Sequence, residues 1–139
     1  MTLTRRGLKQ LAEARVRDAE VLLKGRRYAA AYYLCGYAVE CALKACIAKQ
    51  TVRHEFPDLK RVRDSYTHNI RQLIVEAGLI DDLNTRLKID GFERNWTILQ
   101  GWSEEKRYEY PIMREQAQDL YTAVTDNTDG VLTWLMNYW

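Results

Sequence analysis

The stretch from Tyr28 to Lys49 constrains the fold most, because it is apolar on almost every side. Glu40 and Lys44 interrupt it, so it is too polar to span a membrane and suits a buried helix of a soluble protein. A helix that is apolar all round is normally enclosed by neighbouring elements. The sequence therefore predicts a central helix around which the rest of the chain packs.

The remainder of the chain also indicates helices. Apolar residues recur every three or four positions in several stretches, no stretch alternates strictly between apolar and polar residues, and there are only seven Gly and two Pro. A chain of 139 residues can bury a core without disulfides or a structural metal. We expect one domain over residues 1–139, an all-α, antiparallel up-and-down bundle of four to five helices.

Individual residues indicate where the helices begin and end. Gly25 is placed to close the first helix in a left-handed conformation, and Thr67 offers its hydroxyl as the N-cap of a short helix that begins at His68. Pro111 suits the first turn of a later helix. The run from Asp126 to Gly130 predicts a kink or break in the last one.

The charges are polarised along the chain. The net charge is only +2, yet residues 1–71 hold 15 basic and 7 acidic side chains, whereas residues 72–139 hold 6 basic and 12 acidic ones. Opposite charge in the two halves indicates either an anionic partner for one face or self-association of unlike faces. We favour an anionic ligand.

The cysteines and the amino terminus point to the cytoplasm. The opening residues do not form a signal peptide, and an odd number of cysteines on one apolar helix favours reduced, buried thiols. Their spacing does not match paired zinc ligands, and the chain has only two histidines, so we expect neither a metal nor a cofactor. The three thiols are those of Cys35, Cys41 and Cys46.

Several motifs follow one another in a fixed order: Tyr37 to Ala45, Thr67-His68-Asn69-Ile70, Trp102, Arg107-Tyr108 and Trp134-Leu135. Together they resemble the HEPN domain family, and the resemblance extends over about residues 12–139. It implies a helical bundle that usually dimerises. It also implies one of two activities: a module that binds nucleotides or RNA beside a nucleotidyltransferase, or a metal-independent endoribonuclease.

Arg63 and His68 are the candidate catalytic pair. They have four residues between them, and the resemblance implies that such an Arg–His pair forms the site of the ribonuclease branch. A neutral imidazole can accept the proton of a ribose 2′-hydroxyl, and a guanidinium can bind the phosphate oxygens. Against this, Arg63 falls in a loop, the pair stands earlier in the chain than is typical of that branch, and His68 could be a structural residue at the first position of a helix.

Glu40 and Lys44 are four residues apart, with the acid first, as in a favourable helical ion pair. On a solvated face the pair would contribute little. On a crowded helix a buried charge usually has a partner or a task. The resemblance implies that both side chains face the site, Glu40 as a residue that orients the catalytic pair and Lys44 as a ligand-binding residue.

Further ligand-binding candidates come from a basic loop and from an aromatic segment. Arg61 belongs to a loop that also contains Arg53, Lys60 and Arg63, and Arg107-Tyr108 lies in an aromatic segment after Trp102. Cations beside aromatic rings suit phosphate contact and base stacking. The alternative is that the rings belong to the core while the cations reach solvent, which we favour for Trp102 and Tyr108.

The preferred interpretation is a cytoplasmic, dimeric module that binds a nucleotide or RNA and works with a nucleotidyltransferase or with a toxin–antitoxin or defence partner. The first alternative is an endoribonuclease toxin that uses Arg63 and His68, so the enzymatic status stays open. The second alternative is a non-catalytic interaction subunit, for which the apolar tail from Val131 to Trp139 would provide the interface.

Overall fold

A computed structural model describes residues 3–51 and 59–139, and in these two ranges all the regular structure is helical, as predicted. No helix within them is both long enough and apolar enough to cross a membrane. The elements are α1 (Arg5–Lys24), α2 (Tyr28–Gln50), α3 (Leu59–Ser65), α4 (Ile70–Glu76), α5 (Ile80–Arg86), α6 (Asp90–Gln100), a 3-10 helix (Glu104–Tyr108), α7 (Arg114–Thr125) and α8 (Val131–Leu135).

The helix α2 is the centre of the bundle, which confirms the prediction from its sequence. Helices α1, α4, α7 and α8 and the 3-10 helix all pack against it. Its apolar residues are buried around most of its circumference. Exposure of apolar side chains to water raises the free energy of the folded protein, so enclosure by neighbouring helices stabilises α2.

Trp102 lies flat against α2 at Gly36 and thereby fixes the 3-10 helix that follows. A Cβ atom built on Gly36 would come within 2.2 Å of the indole carbons, so the ring occupies the space that any other side chain would need. Tyr33 stacks on the same indole, with ring centroids 6.0 Å apart. Trp102 is 4% exposed, which confirms its predicted place in the core.

Two of the predicted helix ends are wrong. Gly25 keeps a φ of −83°, and it is Arg26, with φ 61°, that takes the left-handed conformation after α1. The helix runs to Lys24, so the chain reverses one residue later than the glycine indicates. The helix after Pro111 begins only at Arg114, which places the proline outside it.

The start of α4 also differs from the prediction. Its N-cap is Asn69, whose side-chain oxygen accepts a hydrogen bond from the N–H of Gln72 at 2.9 Å. Thr67 instead accepts from the N–H of Asn69 at 3.2 Å, one step before the helix. His68 is therefore not a helical residue, and its side chain is free of the helical geometry that the prediction assigned to it.

The C-terminal segment contains the predicted break and buries its apolar residues. Asp126 accepts hydrogen bonds from the N–H groups of Thr128 and Asp129, at 3.1 and 2.7 Å, and this turn separates α7 from α8. The expectation that the tail forms an exposed apolar patch is wrong, because most of its large side chains belong to the core. The buried ones are Val131, Leu132, Trp134, Leu135 and Trp139.

We expect Gly36→Ala to lower the free energy of unfolding by roughly 1–3 kcal/mol, as overpacked cores do. Without the contact to Trp102, replacing a helical glycine by alanine would stabilise the helix. The measurement is urea-induced unfolding followed by circular dichroism.

Gly101→Ala is the matched control. A Cβ atom at Gly101 would meet its nearest neighbour at 3.4 Å, an ordinary contact. We expect a change within about 0.5 kcal/mol, as is usual for surface substitutions. Equal effects of the two substitutions would show that Trp102 does not seat on Gly36.

Candidate functional site

Glu40 is the one charged residue that is buried in the described part of the chain. It lies on α2 and is 1% exposed. Taking a carboxylate out of water costs several kcal/mol unless it gains partners. A buried carboxylate in a helical bundle therefore marks either an internal hydrogen-bond network or a functional site.

Two nitrogen-bearing side chains contact the same carboxylate oxygen of Glu40. Nδ1 of His68 lies 3.0 Å from Oε2 of Glu40, and Nζ of Lys44 lies 3.4 Å from it. Lys44 is four residues after Glu40 on α2, whereas His68 comes from the segment before α4. The contact thus ties α4 to the central helix.

His68 turns its second nitrogen outward. Because the ionised carboxylate of Glu40 can only accept, Nδ1 carries the hydrogen of this bond and Nε2 points away from it. The side chain is 49% exposed, and Nε2 lies 3.8 Å from Oε2 of Glu104 on the 3-10 helix. One face of the imidazole is therefore held by the core while the other reaches solvent.

Arg107 lies on the same side of the site as Glu104 and forms an ion pair with it. Its Nη1 lies 3.0 Å from Oε1 of Glu104, one turn earlier in the 3-10 helix. The guanidinium also covers the ring of Tyr108, with its Cζ 4.8 Å from the ring centroid. Hydrogen bonding to Tyr108 is the main cause that raises the pKa of Arg107.

A row of stacked rings supports the site from α2. Tyr37 stacks on Tyr33 with centroids 6.1 Å apart, and Tyr33 stacks in turn on Trp102. Burial raises the pKa of Tyr37 to about 12, with smaller contributions from Cys41 and Glu40. Tyr37 therefore lies in a partly desolvated environment near the buried carboxylate.

A cavity of about 310 Å³ opens next to His68. This is the lower end of the roughly 300–1,000 Å³ range of small-molecule sites. Apolar and aromatic side chains form one part of its wall, and polar or cationic ones form the other. Its lining residues are His68, Asn69, Ile70, Arg71, Trp96, Leu99, Gln100, Trp102 and Ser103.

The structure brings together four of the residues predicted for the site. Lys44 and His68 both contact Glu40, and Arg107 is linked to His68 through Glu104. The expectation that Glu40 is buried on a crowded helix is correct.

Three other residues that were predicted for the site do not belong to this group of contacts. The expectation that Arg63 falls in a loop is wrong. It lies exposed on α3, does not line the cavity, and has no described ion pair with Glu40 or Glu104. The side chain of Arg61 lies outside the described residues, as does Arg53. Tyr108 is 77% exposed, so its assignment to the core is wrong, and it is available as a ligand-binding residue.

The sequence did not single out Arg71, Gln100, Ser103 or Glu104. Arg71 is exposed, and it joins the cavity because α4 starts at Ile70 and turns its first residues towards α6. Gln100 and Ser103 flank Trp102, and a polar residue next to a buried tryptophan is too common to be a signal. Only the folding of the 3-10 helix onto α2 brings Glu104 to His68.

The three cysteines are buried, as predicted. Burial raises the pKa of Cys41 and of Cys46 to about 11, so their thiols are almost entirely protonated near neutral pH. Burial also raises the pKa of Cys35. None of these thiols has the character of a nucleophile.

A second concavity, of about 340 Å³, lies along the first turns of α1 and includes Arg5 and Lys9. Both cations already have partners. Arg5 donates to the backbone carbonyl of Trp139, and Nζ of Lys9 lies 5.2 Å from the centroid of the Trp139 ring. This surface packs the C-terminal residue and is the weaker candidate for a ligand.

The family model of the HEPN domain matches residues 6–135, and the chain belongs to this family. The resemblance carried by the motifs is thereby confirmed. HEPN domains generally act in nucleotide- or RNA-related processes, often as ribonucleases or in association with nucleotidyltransferases. A search of curated proteins and a search of solved structures each returned no match.

We expect Glu40→Gln to lower the free energy of unfolding by about 2 kcal/mol, because Lys44 then keeps a largely buried charge without its counter-charge. Lys44 is only 17% exposed. Urea unfolding measures the loss, and the ring ¹⁵N shifts of His68 report whether Nδ1 still carries the hydrogen.

Glu20→Gln is the matched control, since Glu20 forms the same four-residue pair with Lys24 at 3.0 Å on the solvated face of α1. Because both of these side chains are well exposed, we expect a much smaller change. Equal losses in the two variants would mean that burial of Glu40 contributes nothing special.

Proposed function

We propose that this chain is a module that binds a nucleotide or RNA in the cavity beside His68. The single observation that carries the proposal is the composition of that site. Its wall combines the rings of Trp96 and Trp102 with the cation of Arg71, and the guanidinium of Arg107 stands beyond His68. Aromatic and apolar surface suits a nucleobase, and cations suit its phosphate.

The charges support the same ligand class. Arg71 is exposed and has no ion pair with a described acidic residue. The imidazole of His68 is fixed by the core through Glu40, so it pays little conformational entropy on binding. A rigid polar group beside an exposed cation and apolar side chains is the usual composition of a small-molecule site.

We expect Arg71→Ala to weaken binding of a fluorescently labelled single-stranded RNA about tenfold, because one charged hydrogen bond contributes on the order of 1.5 kcal/mol. The slope of log affinity against log salt should fall by about one phosphate contact. Fluorescence anisotropy measures both, and competition with adenosine monophosphate tests whether a mononucleotide suffices.

Arg17→Ala removes the same charge from an exposed position on α1 that does not line the cavity, and it should leave the affinity almost unchanged. Two results would contradict the proposal: absence of binding to the RNA and to the mononucleotide by the unmodified chain, or equal weakening by both substitutions.

Endoribonuclease activity is the second candidate function, and the Glu40–His68 hydrogen bond favours it. A carboxylate that orients an imidazole leaves Nε2 in position to accept a proton from a ribose 2′-hydroxyl, with Glu40 as a positioning residue. The motif assigns Arg63 to the phosphate in this reaction. No metal takes part in such a step.

If the chain cleaves RNA in the presence of a metal chelator, we expect His68→Ala to lower the rate by at least about 100-fold, the usual contribution of a general base. The motif predicts a comparable loss in Arg63→Ala. Gel analysis of an end-labelled RNA gives the rates. An RNA that stays intact with the unmodified chain rejects the nuclease and leaves the binding module standing.

The homodimer, the cytoplasmic location and the partner protein also belong to this proposal. HEPN domains often homodimerise and bind RNA, and this habit supports a dimer that works with a nucleotidyltransferase or with an antitoxin or defence protein. The apolar tail does not supply such an interface, since its large residues are in the core. Its burial removes the observation that favoured a purely structural subunit.

A further inference from the structure

The carboxylate of Glu104 lies between the two groups best placed to bind an anion, the guanidinium of Arg107 and the imidazole of His68. His68 binds an anion at Nε2 in its protonated form, in which both ring nitrogens carry a hydrogen. Oε1 of Glu104 lies 3.0 Å from Nη1 of Arg107, and Oε2 of Glu104 lies 3.8 Å from Nε2 of His68. Each oxygen thus faces a different partner. A tetrahedral phosphate offers the same arrangement, because two of its oxygens can address an arginine and a histidine at once.

We propose that the space between His68 and Arg107 is the subsite that binds a phosphate of the ligand. The carboxylate of Glu104 occupies this space until the phosphate displaces it. The inference rests on the proposed function, for which it names the phosphate contacts. The chemical class bound there is a phosphate monoester or diester joined to a nucleoside.

The position of the cavity fits this assignment. Ser103, the residue before Glu104, lines the cavity together with Trp102 and His68. A ligand whose base lies in the cavity can therefore place its phosphate beyond the imidazole, at the carboxylate of Glu104. Arg71 stands on the cavity side of His68 and can bind a further phosphate of a longer chain.

The energetics allow the displacement. The side chain of Glu104 is 27% exposed and that of Arg107 is 46% exposed, so water reaches their ion pair. Such partly solvated pairs contribute about 0–1 kcal/mol. A phosphate that carries more charge and forms more hydrogen bonds than the carboxylate can exceed this, while smaller or uncharged ligands cannot.

Packing and hydrogen bonding hold the backbone around Glu104 in place, so displacement of the carboxylate involves only its side chain. Trp102 is fixed against Gly36, and the N–H of Lys106 donates to the carbonyl of Ser103 at 3.0 Å. Release of the carboxylate requires only rotation about side-chain bonds, which takes place within nanoseconds at exposed sites. The negative charge of Glu104 therefore excludes solvent anions from the subsite, and no loop has to move for a phosphate to enter.

The test compares Glu104→Gln with Glu105→Gln. Both remove one negative charge from the 3-10 helix, but Glu105 is exposed and does not contact His68 or Arg107 in the described contacts. The probes are adenosine monophosphate, adenosine, and a labelled single-stranded RNA without a terminal phosphate. Dissociation constants come from calorimetry and anisotropy, with thermal unfolding to confirm that the variants are folded.

We expect Glu104→Gln to bind adenosine monophosphate three- to tenfold more tightly than Glu105→Gln, and adenosine equally well. Tightening for the RNA as well would assign the subsite to a phosphodiester, and tightening for the mononucleotide alone would assign it to a terminal phosphate. Equal affinities of the two variants for every phosphate-containing probe would overturn the proposal while leaving the binding module intact.

A double-mutant cycle separates displacement from simple charge repulsion. If Glu104 competes for Arg107, its substitution should no longer tighten binding once Arg107→Ala has removed that partner. Undiminished tightening in the Arg107→Ala background would overturn the proposal in favour of repulsion. Absence of probe binding in every variant, Glu104→Gln included, would reject the proposed function together with the subsite.

Discussion

The structure depends on one buried carboxylate. Glu40 lies on the helix against which α1, α4, α7 and α8 pack, and at 1% exposure it has to be compensated from within the protein. Lys44 supplies a charge from the same helix, and among the described residues it is His68 that supplies a polar contact from another segment of the chain. The requirement to satisfy Glu40 therefore fixes the segment before α4 on the bundle and gives His68 its orientation.

The second constraint is steric and acts on the other side of the site. Gly36 leaves a gap in the surface of α2, and the indole of Trp102 fills it. This contact places the residues after Trp102, and with them Glu104 and Arg107, opposite His68. The functional surface is thus the meeting of two chain segments, one held by a hydrogen bond to a buried acid and the other by a ring packed on a glycine. Neither segment is part of a long helix, which is why the side chains can converge.

The same logic explains why Arg63 is separate from the group. A motif of an arginine and a histidine with four residues between them assumes that both residues share one regular element. Here α3 ends at Ser65 and α4 starts at Ile70, so the two residues lie on either side of a non-helical segment. The chain places Arg107 and Arg71 around His68, from the 3-10 helix and the first turn of α4. The family motifs are present in this sequence, but the guanidinium that is linked to His68 through Glu104 is that of Arg107, from a different part of the chain than the spacing indicates.

The sequence by itself determined the helical class, the central place of α2, the break after α7, the buried cysteines and a partly buried Glu–Lys pair on a crowded helix. These properties follow from local periodicity, from side-chain volume and from the cost of exposing apolar surface, all of which act over a few residues. Only the tertiary structure decided that Asn69 and not Thr67 caps α4, that Tyr108 is exposed, that the apolar tail is core, and that Glu104 stands between His68 and Arg107. Apart from the cap, which Asn69 and Gln72 form three residues apart, those outcomes depend on contacts between residues far apart in the chain, for which the spacing of residues carries no information.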